Sequence, residues 1–507
     1  MTHSFRRRLP APFLVLLLIL TGCGTRNVNL VSGGNQQGAY SWQEQVQLGQ
    51  QADQQIIAQY GLLDDDDVAR YVDAVGQQVL QRAYTAIESE INSGNVDVDR
   101  AAFDEIRRTP FAFRVLDSPV INAFALPGGF TYVTRGLLAH LDNEAQLAVV
   151  LGHEAGHVLA QHSSRQAFEA QRGQLGLIAA AIGGSILDPS LGQGILQYGS
   201  QGVQLLFLKY GRDAEREADR AGVTYSELSG YDAAQAADFF RSLGRIQQSA
   251  GGGLPSFLST HPDPSEREQA IPEFAATFGA NVGTNVGEEG YMNEIGGIIM
   301  GENPREGFVE NGVFYHPDLA FQFDVPRGWQ VNNSRQAVVI GEPNGAAVLQ
   351  FTFASQNSAE EAAQALRGQQ GVQVTNQQRY SAGGNPAVLV EGQAQSQQGT
   401  TAFQASFIEY GGNVYQLLGL TSPQGMSTYS RQFSQTMQSF ERLTDSRYLN
   451  RQPALLEVVR ADRSAPFSSF LRGRPEVPGI DDQGMAILNQ VELNENVPAG
   501  TYLKLPR

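Results

Sequence analysis

The chain has 507 residues, a formal net charge of −17, seven histidines and one cysteine; this length exceeds one ordinary core and requires two or three domains. Hydrophobic residues at 41% provide for sizeable cores, and a charged fraction of 17% argues against wholesale disorder. The acidic balance, with only two lysines at Lys209 and Lys504, excludes a phosphate-binding nucleic-acid surface, and one cysteine excludes any intramolecular disulfide.

In chain order the first segment is Arg6-Arg7-Arg8, an unbroken apolar run Phe13–Leu20, and Leu20-Thr21-Gly22-Cys23. A basic start, a short apolar run and small residues at its end read as a secretory signal over 1–22. The run is far short of the ~20 residues that span a bilayer as a helix. Leu-x-Gly-Cys at its end resembles a bacterial lipobox, which implies cleavage before Cys23, acylation of that cysteine, and attachment to a membrane. Gly24 in the next position resembles lipoproteins of the outer membrane and places the chain in a bacterial periplasm. Residues 23–41, rich in Gly, Asn, Gln and Ser, are expected to be a flexible tether.

From Trp42 to about Arg108 apolar residues recur at helical steps, as in Val68, Tyr71, Val72, Val75 and Val79. Strands are expected at Phe111–Val115 and across Ile121–Val133, folded back at Pro127-Gly128-Gly129. A helix capped by Asp142 or Asn143 then runs past His157. It carries His153-Glu154-Ala155-Gly156-His157. Residues four apart share a helical face, so both imidazoles can reach one cation while Glu154 projects beside it toward water. Zinc held by two histidines needs a third protein ligand and an open position. The best source is the predicted helix Ala214–Leu228, where Glu215 and Asp219 share a face and Glu217 points roughly away. Glu215 is assigned as the third ligand and Asp219 as the acceptor that orients a ligand histidine. The expected cofactor is one zinc ion per chain.

Helices are also expected at Ala233–Gln247 and Pro264–Phe278, and a linker over 281–304, where glycine recurs and periodicity fades. Short alternating strands follow, at Phe321–Val325, Val348–Phe353, Val388–Val390, Phe403–Ile408 and Val414–Leu420. Two helices interrupt them, one capped by Ser358, the other carrying Phe433, Met437 and Phe440. They define an α+β accessory domain over 305–443 with no catalytic constellation. Its one histidine, His316, has no companion ligand nearby and reads as structural. In the last unit, 448–507, a helix with Leu488-Asn489 precedes a Pro498-Ala499-Gly500 turn and a final strand. This resembles the closing half of a LysM-like module and makes peptidoglycan a candidate partner.

The spacing His153-Glu154-x-x-His157, then Glu215-x-x-Ala218-Asp219, resembles the gluzincin family of HtpX-type membrane proteases and CaaX-processing Ste endopeptidases. Asn122-Ala123-Phe124-Ala125 and His261-Pro262-Asp263-Pro264-Ser265-Glu266-Arg267 resemble it too, most closely its periplasmic, BepA-like branch. The resemblance covers roughly residues 45–280. It implies a mainly helical zincin-type metalloprotease domain with a small β-sheet over 42–280, in an α+β multidomain chain. It also implies that His153, His157 and Glu215 bind zinc and that Glu154 is general base, then general acid. His261 or Arg267 would stabilise the oxyanion, or His261 would enter the open zinc position and hold the enzyme latent. Strand Asn122, Ala123 and Phe124 would take an extended substrate by strand addition. His140 and His162 are expected at the surface or behind the ligands. Where HtpX-like members hold membrane helices, Leu175–Gly211 has apolar runs too short to span and is read as a helical hairpin or lid. The expected activity is zinc-dependent hydrolysis of misfolded or stalled envelope polypeptides. The competing reading is a non-catalytic lipoprotein scaffold or chaperone-like binding protein with an idle or structural metal site.

Overall fold

The computed structural model describes residues 25–172, 210–249, 257, 261, 264–279, 282–396 and 399–507. The signal segment, Cys23 and nearly all of the stretch 175–211 lie outside the described residues. No helix among the described residues is long and apolar enough to cross a membrane.

Residues 25–38, expected as part of a tether, instead form an antiparallel hairpin of β1 (Thr25–Asn29) and β2 (Gly34–Gly38). Composition misleads because its polar residues find partners far away in sequence. Asn27 and Asn29 are each 4% exposed, and Asn27 Nδ2 donates to Ser164 Oγ at 3.1 Å. Main-chain bonds from Leu30 to Leu159 and from Ala39 to Ser164 clasp the hairpin to the end of the zinc-motif helix and the start of the next.

Next come α1 (Trp42–Tyr60), α2 (Asp66–Asn92) and α3 (Arg100–Arg108). Ser41 and Glu44 close a capping box on α1, and α2 buries Val68, Val72, Val75 and Val79 along one face. A three-stranded sheet follows, of β3 (Ala112–Leu116), β4 (Ala123–Leu126) and β5 (Phe130–Thr134). Its order is β3-β5-β4, with β3 parallel and β4 antiparallel to β5, so β4 is an edge strand. Gly128 and Gly129 turn β4 into β5 at φ 83° and 101°, a backbone that L side chains resist. Then come α4 (Arg135–His140), α5 (Glu144–Leu159), α6 (His162–Arg172), α7 (Arg212–Leu228), α8 (Ala236–Ser249) and α9 (Pro264–Ala275).

The expected linker is structured and belongs to this body. It forms α10 (Glu288–Ile295) and β6 (Ile299–Met300), with Tyr291, Met292, Ile295 and Met300 in the same core as α2 and α5. The chain then leaves for the accessory domain. There it forms β7 (Phe308–Glu310), β8 (Val313–His316), β9 (Phe321–Asp324), β10 (Gln330–Asn333), β11 (Val338–Gly341) and β12 (Ala347–Phe353). It continues with α11 (Ala359–Arg367), β13 (Val372–Ala382), β14 (Asn385–Ser396), β15 (Gly399–Tyr410), β16 (Asn413–Thr421), α12 (Met426–Gln438) and β17 (Glu441–Arg442). A seven-stranded antiparallel sheet runs β10-β11-β12-β16-β15-β14-β13, and a four-stranded one runs β17-β9-β8-β7. Phe314, Phe321, Phe323, Phe351, Tyr415 and Phe440 join the two in one aromatic core.

After α13 (Ser446–Leu449), the chain returns as β18 (Ala454–Arg460), β19 (Ala465–Pro466), α14 (Asp482–Leu488), β20 (Asn496–Val497) and β21 (Tyr502–Pro506). β18 pairs with both β21 and β6. The accessory domain is thus an insertion between two hydrogen-bonded strands of the body, and the last unit shares the core of that body. The whole is an α+β, multidomain chain.

Candidate metal centre

Two helices build the site, and glycine lets them meet. α5 starts at Asn143, whose side chain accepts from Gln146 N at 2.9 Å. Tyr71 and Tyr231 each donate to Glu144 at 2.6 Å in its first turn. Every residue from Ala145 to Leu159 is buried, so α5 is a core helix rather than an amphipathic surface helix. A Cβ on Gly152 would lie 3.0 Å from Gly222 Cα, and one on Gly222 would lie 2.8 Å from Val149 O. At this close crossing α7 carries Glu215 and Asp219 up to the α5 histidines.

His153 Nε2 and His157 Nε2 face each other at 3.0 Å. Glu215 Oε1 lies 3.5 Å from His157 Nε2, and Oε2 lies 3.8 Å from His153 Nε2. His261, on the stretch before α9, places Nδ1 3.1 Å from both Glu215 oxygens and 3.2 Å from His153 Nε2. One donor atom each from His153, His157, Glu215 and His261 falls within 4.8 Å of the others, and all four residues are buried. This nitrogen and carboxylate set fits zinc. Glu154 points into the same space: its Oε1 is 3.5 Å from His261 Nε2 and has no hydrogen-bond partner among the described residues.

The surrounding charges separate the roles of the carboxylates. Burial pushes the Glu154 carboxyl above its ordinary range, with His261 and His153 opposing. Burial also acts on Glu215, but His261 and Arg267 outweigh it and hold Glu215 well below that range. Burial pulls the His261 imidazole down, yet Glu215 and Glu154 raise it above its ordinary value. Burial, reinforced by its cationic neighbours, drives His157 down and favours the neutral ring a metal requires.

Asp219 Oδ1 stands 2.9 Å from His153 Nδ1. Arg267 is held by two carboxylates of α7: Nε donates to Asp219 at 3.0 Å and Nη2 donates to Glu215. That leaves Nη1 as its free donor group among the described residues. Ala125 and Leu126 of β4, with Gln45, His157, Val158 and Tyr210, line a small pocket between the edge strand and α5. Ala123 and Phe124 sit on that strand, with Asn122 just before it; the Phe124 ring turns to Tyr132 at 5.0 Å. His140 is a buried residue bonded to Gly136 O at 2.8 Å.

One residue near the site, Tyr210, escaped the sequence reading, and two others, His162 and Glu217, were read without their partners. Tyr210 stacks on His157 with ring centroids 4.1 Å apart and bonds Ser163 Oγ at 2.8 Å. His162, five residues beyond His157, would leave its face on a continuous helix. Gln161, at φ 52°, breaks α5 and folds His162 back, so that Nδ1 meets His157 Nδ1 at 2.8 Å. Glu217 does point away from the ligand set, as expected, but toward His162 Nε2 at 3.0 Å rather than toward solvent.

Residues 96–275, which contain this constellation, match the sequence profile of Peptidase family M48. The chain is 27% identical over 227 residues to the beta-barrel assembly-enhancing protease of Escherichia coli, covering 44% of this chain and 42% of that one. The putative beta-barrel assembly-enhancing protease of Vibrio cholerae is 34% identical over 163 residues, covering 32% and 34%. The mitochondrial metalloendopeptidase OMA1 of Arabidopsis thaliana is 30% identical over 175 residues, covering 34% and 33%. The chain therefore spans less than half the length of the curated relatives it matches.

Proposed function

We propose that this chain, whose residues 96–275 match the profile of peptidase family M48, is a zinc-dependent endopeptidase of the bacterial envelope, acting on misfolded or stalled envelope polypeptides. The observation that carries it is Glu154, buried with its Oε1 lacking a hydrogen-bond partner among the described residues, beside four metal-donor atoms. A merely structural zinc site has no use for such a group. His153, His157 and Glu215 would hold zinc, which would supply Lewis-acid polarisation of a scissile carbonyl and acidify water. Glu154 takes the proton of the attacking water and passes it to the leaving amine, and its raised pKa suits both transfers. The oxyanion falls to His261 Nε2 or Arg267 Nη1. Alternatively His261 Nδ1, which lies among the donors, would occupy the open position and hold the site latent. An extended substrate strand adds to β4 and lies along the pocket beside His157.

The names of the Escherichia coli and Vibrio cholerae relatives support a role in the assembly of β-barrel proteins. Acylation of Cys23 would attach the chain to the outer membrane. Peptidoglycan contact through 448–507 is the remaining partner reading. The test of the activity is Glu154→Gln: it retains zinc and the native fold, and cleavage of unfolded casein falls by about 10²–10⁴-fold. Equal cleavage by wild type and variant removes the enzyme reading.

A further inference from the structure

We infer that His162, Glu217 and Asn29 form a relay that positions the zinc ligand His157, so that the N-terminal hairpin is a working part of the metal centre. The inference rests on the zinc-binding reading above, and its polarity can be worked out from the far end inward.

Asn29 is buried, and its Oδ1 accepts from Val31 N at 2.9 Å and Ser32 N at 3.0 Å. Those two main-chain donors fix which end of the amide is oxygen, so Nδ2 must face Glu217 Oε1, at 2.8 Å. The other Glu217 oxygen accepts from His162 Nε2 at 3.0 Å. A carboxylate only accepts, so His162 carries its proton on Nε2 and offers the lone pair of Nδ1. His157 Nδ1, 2.8 Å away, must then be the donor. This leaves the lone pair of His157 on Nε2, the atom that faces His153, Glu215 and His261. Four side chains thus hand one tautomer along from two main-chain amides to the ligand set.

His153 has the simpler arrangement, with Asp219 directly behind it at 2.9 Å. For His157 a second histidine is interposed, because the break at Gln161 returns the chain there. The carboxylate is therefore one residue further out and needs its own support. β1 provides it, which explains why a hairpin so polar is buried and why its main chain is tied to Leu159 and Ser164 on either side of the break.

The experiment uses the full chain and measures zinc affinity by competition with a chromogenic chelator, together with the visible spectrum of the cobalt(II)-substituted protein. His162→Phe and Glu217→Gln are each expected to weaken zinc by about 10–100-fold and to shift the cobalt bands. Asn29→Leu is expected to do so by a smaller factor. The double variant is expected to bind only as weakly as the worse single one, because both act through His157. Glu217→Gln keeps the shape of the side chain, so it reports even where His162→Phe fails to fold. Zinc affinities within about twofold of wild type, unmoved cobalt bands, or fully additive losses overturn the relay. If the wild-type chain itself takes up no stoichiometric zinc, the metalloprotease reading fails instead.

Discussion

The accessory domain and the body that carries the candidate metal centre handle buried polarity in opposite ways. In the body, Asp53, Arg135, His140, Glu227 and Lys504 are buried, as are His153, Glu154, His157, His162, Glu215, His261 and Arg267 around the metal centre. In the accessory domain the buried polar residues among those described are Gln404, Ser406, Thr421 and Thr436, none of them ionisable. Its interior is instead a cluster of aromatic rings, with Phe321 and Phe440 centred 5.3 Å apart and Phe351 and Tyr415 also 5.3 Å apart. Taking an ionisable group out of water is costly unless it is paired, and a paired group often does no better than a hydrophobic one of the same shape. Buried charge is therefore concentrated around the candidate metal centre and where it fixes a position, and among the described residues of 305–443 no Asp, Glu, Lys, Arg or His is buried.

This contrast is most directly broken or upheld by Phe440→Ala. Phe440 is fully buried among Phe321, Tyr410 and Tyr415, and its truncation is expected to cost the accessory domain about 3–5 kcal/mol in urea unfolding. Because that domain is inserted between β6 and β18 and adds no group to the metal centre, zinc content and casein cleavage are expected to stay at wild-type levels. A parallel loss of cleavage would show that the insertion supports the site and that the division drawn here is false.

How far the sequence spoke depends on whether a feature rests on local or distant partners. The spacing of His153 and His157 settles their common face by helix geometry alone, with Glu154 beside it, and Asn143 announces the start of the helix. Glu215 and Asp219 were legible for the same reason, being one turn apart on α7. The β1–β2 hairpin was not: Asn27 and Asn29 look like tether residues until Ser164 and Glu217 arrive to pair with them. β13 was missed because most of its residues, such as Gln373, Gln378 and Arg379, face solvent and show no apolar alternation. The segment 281–304 read as a linker because Ile299 and Met300 supply only two residues to a sheet whose other strands lie beyond the insertion.

Lys504 tests the body's side of the comparison with a smaller expected effect. It is 1% exposed, donates to Leu141 O at 2.8 Å and pairs with Asp142 Oδ1 at 2.6 Å. Burial lowers its pKa, with Asp142 opposing. The pair pins β21, the final strand, to the residues that open α5. Removing one member of a buried pair leaves the other uncompensated, and Asp142 keeps a quarter of its side chain exposed. Lys504→Ala is therefore expected to destabilise the body by about 3 kcal/mol, the low end of the range for such pairs. A urea transition unchanged within error would mean that the last unit is attached loosely and that its shared core contributes little.

The smallest effect belongs to an ion pair of the accessory surface, and its smallness is what the comparison requires. Arg379 on β13 makes two bonds to Glu360 Oε2 on α11, at 3.0 and 2.9 Å, a geometry as good on paper as that of Lys504. Its side chain is 80% exposed and that of Glu360 35% exposed. In water the attraction is screened, neither group leaves its solvation shell, and two long side chains lose freedom to meet. Arg379→Ala is expected to move the unfolding free energy by no more than about 0.5 kcal/mol, and by less at high salt. A loss comparable to that of Lys504→Ala would mean that bond geometry rather than burial sets the worth of these pairs, and the contrast between the two regions would have to be drawn on other grounds.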